Sequence, residues 1–184
     1  MKLRLVLSGG ETGADLTGLE EAHKLGIPTG GFVWPDYWCE RGKNLDLRDI
    51  YGLRTTRGNR TELNAAVGDC TIWFGFDPKA TGGGQNTLYG CKRWGRPMFI
   101  NPKPKTLIKI AEAFEVINIA GNRESINPTV VGKVQAAFAV WKQAFKLGDN
   151  DGLKSQGGEV RANQQGSYQG PGGAQSDWGL YRQG

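Results

Sequence analysis

The chain has 184 residues, with 23 lysines and arginines against 18 aspartates and glutamates, for a net charge of +5. That length suits one ordinary domain with a real core and leaves little room for a second. The basic excess suits an anionic ligand, but it is spread without long Lys/Arg runs, so it does not point to nucleic acid. The cysteines Cys39, Cys70 and Cys91 are odd in number and lack CxxC spacing, which fits a reducing cytosol better than a disulfide scaffold. With His23 as the single histidine, no multi-histidine site can form and a zinc site is not expected. No apolar run approaches the roughly 20 residues of a membrane span. The N-terminus lacks a signal-peptide pattern, so the expected location is the cytoplasm.

In chain order, Leu3 to Leu7 reads as a short buried strand. It runs into Ser8-Gly9-Gly10-Glu11-Thr12-Gly13-Ala14-Asp15, a glycine-rich turn before a helix from Ala14 to Leu25. A strand, a turn of small residues and a helix start make a plausible anion cradle, because N–H groups at a helix N-terminus favour negative charge. Leu16, Leu19, Ala22 and Leu25 recur at near-helical spacing, Gly26 suits the C-terminal cap, and Pro28 blocks continuation. His23 falls in this helix and reads as a surface residue. Thr29 to Val33 is the next predicted strand, parallel to the first through a right-handed crossover.

Trp34 to Asn59 is long and irregular, with Trp34, Tyr37, Trp38 and Tyr51 among Arg41, Lys43, Arg48, Arg54 and Arg57. It reads either as a flap over a planar anionic ligand or as locally packed aromatics with solvated charges. Arg60 to Val67 is a predicted helix with Asn59 or Thr61 near its start, and Cys70 to Phe76 a central strand. A second glycine cluster, Thr81-Gly82-Gly83-Gly84-Gln85-Asn86-Thr87, leads into a helix from Gln85 to Trp94. Two such loops at one edge of a parallel sheet converge on one crevice. Pro97 to Asn101 reads as a strand, Lys103 to Ala113 as a helix and Val116 to Ala120 as a strand. Asn127 is the expected cap of a helix beginning at Pro128, with Val130, Val134, Phe138, Trp141 and Phe145 on one face. The expected architecture is a Rossmann-like α/β domain over residues 1–146, a parallel sheet sandwiched by helices. Residues 147–184, rich in Gly, Gln, Ser and Asn, read as a disordered tail that buries too little apolar surface to order.

SGGETGAD resembles the SGGQTGAD signature of the molybdenum carrier family of the SLOG superfamily, which is related to the lysine decarboxylase-like fold. The resemblance continues through Leu25 to Gly31, Arg57 to Asn64, the TGGGQNT loop, Gly95-Arg96-Pro97 and Ile117 to Ser125, in order over about residues 3 to 145. It implies a Rossmann-like sheet, a nucleotide or related phosphorylated ligand, and a homo-oligomer. Glu11 stands where the family usually has glutamine, and Leu16 where many members have arginine. A related branch that hydrolyses nucleoside monophosphates carries a PGGxGTxxE motif. Here Leu88 and Tyr89 stand near the position of its catalytic glutamate, and neither can act as an acid. Glu62 and Asp77 are possible substitutes.

The expected function is therefore binding of a phosphorylated small molecule, a nucleotide or a pterin such as molybdenum cofactor, with no catalytic residue assigned. Gly9, Gly10, Thr12 and Gly13 would offer donors to one phosphate. Gly82, Gly83, Gly84, Gln85, Asn86 and Thr87 would serve a second anion or the other end of the ligand. Arg57 or Arg60 would add charge-assisted bonds. Asp15 would cap the helix or accept from a hydroxyl, and Glu11 would either repel phosphate or read a hydroxyl. No protein-ligated metal is expected, since the pterin would hold its metal through its own dithiolene. Two alternatives stay open: a nucleotide N-glycosidic or phosphate hydrolase, and a receptor or sponge for an ADP-ribose-derived signal.

Overall fold

Strand and helix alternate along most of the chain, so the strands must run parallel, each helix returning the chain across the sheet. The structure is a computed structural model and describes residues 1–148. Its elements are β1 (Leu5–Ser8), α1 (Ala14–Lys24), β2 (Thr29–Gly30), β3 (Phe32–Val33), β4 (Trp38–Cys39), β5 (Gly42–Lys43), α2 (Asp46–Asp49) and β6 (Arg54–Thr55). There follow α3 (Arg60–Val67), β7 (Cys70–Phe74), α4 (Gly82–Arg93), β8 (Met98–Ile100), α5 (Pro104–Ala113), β9 (Val116–Gly121) and α6 (Val130–Phe145). The main sheet has the order β2-β1-β9-β7-β8, and its pairings are all parallel. The last strand in the chain, β9, thus lies between β1 and β7, with Asn118 opposite Leu7 on one side and Thr71 on the other.

One face of the sheet is apolar. Val6, Ile72, Ile117 and Ile119 pack there against Ala22 of α1, Leu107 and Ile110 of α5, and Val134, Phe138 and Trp141 of α6. Side chains alternate across a strand, so Thr71, Trp73, Asn118 and Ala120 belong to the opposite face. There Cys91 of α4 donates its thiol hydrogen to Thr71 at 3.3 Å. A smaller cluster of Leu19, Val33, Leu47 and Leu53 joins α1 to the segment before α3.

Several boundaries differ from the sequence reading. The strand expected over Thr29 to Val33 breaks at Gly31, whose φ is +132° and where a Cβ would lie 2.1 Å from the Ser8 carbonyl oxygen. Only glycine fits there, and β3 leaves the main sheet to pair with β6. The region from Trp34 to Asn59 is built from a β4–β5 hairpin, α2 and β6 rather than being irregular. Asn59 caps α3, accepting from the Glu62 N–H at 3.2 Å. The helix expected from Gln85 starts at Gly82, because Thr81 caps it by accepting from the Gly84 N–H at 3.1 Å. Asn127 does not cap α6: its side chain accepts from the Thr129 hydroxyl at 2.8 Å, and the helix begins at Val130. From residue 149 onward the expected disordered tail lies outside the described residues.

Trp141 tests the core. It is fully buried, its ring meets Phe138 edge-on at 4.8 Å, and its indole N–H donates to the Leu107 carbonyl at 2.9 Å. Trp141→Ala should cost about 3–5 kcal/mol, read as a lower urea midpoint with an unchanged slope.

Candidate functional site

Placing β9 between β1 and β7 brings the carboxyl ends of these strands side by side, and ligands of open α/β sheets sit in the crevice beyond such ends. Three connections meet there: Gly9–Gly13 after β1, Thr81–Gly83 at the start of α4, and Asn122–Arg123 after β9. They surround a cavity of about 210 Å³ whose lining includes Gly9, Glu11, Asp15, Arg60, Asn64, Trp73, Gly82, Gly83, Thr87, Asn118, Asn122 and Arg123. The first and third connections touch through backbone: the Ala14 N–H donates to the Asn122 carbonyl at 3.2 Å. Gly13, at φ +78°, lies so close that a Cβ would come within 2.5 Å of that same carbonyl oxygen.

The first loop is organised by its own carboxylates. Glu11 is buried and accepts from Arg60 at 3.3 Å, Arg123 at 3.2 Å, the Glu40 N–H at 2.6 Å and the Thr12 N–H at 3.3 Å. Asp15 accepts from the Glu11 N–H at 3.4 Å and lies 3.9 Å from Arg60. Arg60 also donates to the Gly9 carbonyl and lies over the Trp34 ring at 5.6 Å. The N–H groups expected to cradle a phosphate are therefore partly occupied: the Glu11, Thr12 and Ala14 donors already have acceptors. Burial pushes the Asp15 carboxyl up to about 6, against the opposing pull of Arg60.

The start of α4 is different. Thr81 satisfies Gly84, but the first N–H groups of a helix have no intrahelical acceptor, which leaves those of Gly82 and Gly83 facing outward. Added Cβ atoms at either glycine would meet nothing within 4 Å. Two further donors in the cavity wall, Arg60 Nε and Asn122 Nδ2, are buried and have no partner. The Asn122 amide is fixed in orientation, since its Oδ1 accepts from the Phe76 N–H at 2.7 Å.

The β4–β5 hairpin fastens the outer side. Glu40 accepts from the hydroxyls of Thr12 and Ser125, which holds its carboxyl below the usual range, and Arg41 pairs with Glu124. No residue of the Trp34–Asn59 segment belongs to the cavity lining. Trp34 stacks on Arg60 and Tyr37 on Arg48, while Leu47 and Leu53 close over Gly10. His23 packs edge-on against Tyr51 at 5.8 Å.

Of the residues singled out in the sequence, Gly9, Glu11, Asp15, Arg60, Gly82, Gly83 and Thr87 line the cavity. Gly10 packs under Leu47 and Leu53, Thr12 holds Glu40, and Gly13 abuts the third connection. Gly84 lies beneath the Pro78 backbone, the Gln85 side chain donates to the Lys79 carbonyl, and Arg57 and Asn86 are exposed and outside the lining. Glu62 pairs with Arg93 at 3.0 Å and Asp77 accepts from the Lys79 N–H at 3.0 Å, so both point to other work. The sequence reading missed Asn64, Trp73, Asn118, Asn122 and Arg123 as lining residues. A polar residue inside the apolar strand Ile117–Ile119 was the available signal for Asn118.

A family model described as the circularly permutated YpsA SLOG family matches residues 6–141. The chain belongs to this family. The sheet order accords with that description, since the strand at the centre of the site comes last in sequence. A solved structure called "Putative molybdenum carrier protein", from Syntrophus aciditrophicus SB, is similar at 26% identity and a TM-score of 0.65, over 76% of this chain and 95% of that one. The SLOG molybdenum carrier resemblance and the Rossmann-like fold both hold. No curated protein matches the chain.

Two outcomes test the carboxylate arrangement. Glu11→Ala leaves the buried Arg60 with Asp15 as its one carboxylate partner, and should cost about 3 kcal/mol, the low end for breaking a buried pair, by equilibrium denaturation. Because the Asp15 carboxyl titrates higher in the folded state than in the unfolded chain, the folded state holds more protons between about pH 4 and 6. That contribution to stability is present at the acid end and is lost as pH rises through about 6. Asp15→Asn should therefore gain melting temperature relative to wild type from pH 4 to pH 7, and no further above it, by scanning calorimetry.

Proposed function

We propose that this chain is a binding protein for a phosphorylated small molecule, a nucleotide or a molybdenum cofactor-like pterin, held by its phosphate at the start of α4. One observation carries the reading: unpaired donors converge in one cavity, namely the Gly82 and Gly83 N–H groups, Arg60 Nε and Asn122 Nδ2. Arg60 Nε and Asn122 Nδ2 are buried, where an unsatisfied donor costs about 1–3 kcal/mol, the Gly82 and Gly83 N–H groups open the helix on its exposed side, and one anion would satisfy all four. Arg123 at the rim adds charge. Glu11 then serves to hold Arg60 and Arg123 in place rather than to contact phosphate.

The cavity of about 210 Å³ lies below the roughly 300–1,000 Å³ of typical drug-sized sites. That supports a ligand with one phosphate over a dinucleotide such as an ADP-ribose derivative. Membership of the SLOG family and the name of the similar structure support the nucleotide and pterin options respectively. Among the described residues, no group of three or more His, Cys, Asp or Glu could hold a metal ion. The residues fit the phosphate end of a pterin cofactor, and its dithiolene would supply the ligands to molybdenum. The expected cytoplasmic location accords with the absence, among the described residues, of a helix long and apolar enough to cross a membrane, and with Cys39, Cys70 and Cys91 being free thiols.

A hydrolytic reading of the same cavity has Asp15 in its favour, a carboxyl partly protonated near neutrality, as a general acid must be. Gly82→Asp separates fold from binding. The new side chain meets open space and suits a helix N-terminus, so the melting temperature should hold. Binding of ribose phosphate, measured by titration calorimetry, should be lost. Undiminished binding would place the phosphate elsewhere, and base or phosphate released from nucleoside monophosphates by wild type but not by Asp15→Asn would favour the hydrolase.

A further inference from the structure

The innermost wall of the cavity lies on the sheet itself, and it is chemically unlike the phosphate end. Asn118 sits at the middle of β9, paired on both sides, and is 2% exposed. Its Nδ2 donates to the Thr71 hydroxyl at 3.1 Å, while its Oδ1 has no partner and is sealed from bulk water. Turning the amide over would exchange the two atoms and still leave one unpaired. The bond to Thr71 accounts for the nitrogen, and a leucine at this position would pack the sheet without burying an unpaired oxygen, so the interior of a central strand gives no structural reason for Oδ1. Trp73 and Ala120 stand opposite each other on β7 and β9, both on the cavity wall. Trp73 is 2% exposed and its indole N–H is spent on the Phe76 carbonyl at 2.8 Å, so it brings no polar group to the cavity.

We propose that this wall is a ring-recognition subsite: Asn118 accepts an N–H from the edge of a flat nitrogen heterocycle that lies against Trp73 and Ala120, while the ligand's phosphate reaches Gly82 and Gly83. The inference rests on the phosphate-binding reading and narrows it to ligands whose ring presents an N–H donor at its edge. Guanine and pterin share that edge. Asn118 is then the specificity-determining residue, and a ligand lacking the N–H leaves its oxygen as unpaired as before.

The test uses the full chain and titration calorimetry with ribose phosphate, purine riboside monophosphate, guanosine monophosphate and the monophosphate of 6-hydroxymethylpterin. Purine riboside has the ring of guanosine without the N–H edge. Wild type should prefer at least one of the two edge-bearing compounds over purine riboside monophosphate by at least about tenfold, and which of the two binds tighter identifies the source of the ring. Asn118→Leu should abolish that preference, keep ribose phosphate affinity, and match or exceed the wild-type melting temperature, since Thr71 retains the Cys91 thiol. Ala120→Leu fills the same wall without touching the amide, and should weaken every ring-bearing probe while sparing ribose phosphate. Equal affinity of wild type for purine riboside monophosphate and both edge-bearing compounds overturns the subsite and leaves the phosphate reading intact. So does an Asn118→Leu chain that loses ribose phosphate in parallel or fails to fold, if Ala120→Leu binds all probes as wild type does. Failure of ribose phosphate and every other probe to bind wild type overturns the phosphate reading, and the subsite with it.

Discussion

The Glu11 carboxylate is the interaction on which the site depends. It receives Arg60 from α3, Arg123 from the segment after β9 and a backbone N–H from the β4–β5 hairpin, so one buried anion fastens pieces of chain that are far apart in sequence. Two guanidiniums converging on a cavity would repel each other, and the shared carboxylate offsets that repulsion. It also aims them. With its Nη atoms bonded to Gly9 and Glu11, Arg60 has Nε as its one nitrogen without a partner. A glycine-rich loop that looks from its composition like a cradle for a ligand anion is thus a cradle for its own side chains, and the N–H groups left open are those at the start of the neighbouring helix.

The two faces of the sheet follow opposite rules. Toward α1, α5 and α6 the side chains are aliphatic or aromatic and close-packed, and burial of that surface supplies stability. Toward α3 and α4 the strands present Thr71, Asn118 and Trp73, and Asn64 of α3 holds both the N–H and the carbonyl of Phe32. This second face trades close packing for buried polar contacts. The apolar face is what lets it do so, because a marginal domain can carry a few unsatisfied groups only where the rest of its core is sound.

Much of this was legible in the sequence. The strand–glycine–helix units at Ser8–Asp15 and Thr81–Thr87 announce a parallel sheet with a site at its carboxyl edge, and their spacing puts both loops on that edge. Helix α6 declares its buried face through Val130, Val134, Phe138 and Trp141. The rest depended on topology. Nothing local says that β9 inserts between β1 and β7, and without that placement neither Asn122 nor Arg123 reads as part of a site. Gly31 was invisible as a break because its constraint, the Ser8 carbonyl, comes from another strand. Glu11 was uncomfortable in the first loop for the same reason: its partners lie 49 and 112 positions away in Arg60 and Arg123.

The late position of β9 has a consequence for how the protein is made. Until residue 121 has left the ribosome, β1 and β7 each present an open parallel edge toward the missing strand. Parallel pairing of this kind is slow to form and prone to mispair while it waits. The nascent chain therefore lacks this cavity for most of its synthesis. Its walls can come together only when residues 116–121 arrive and the sheet acquires its centre.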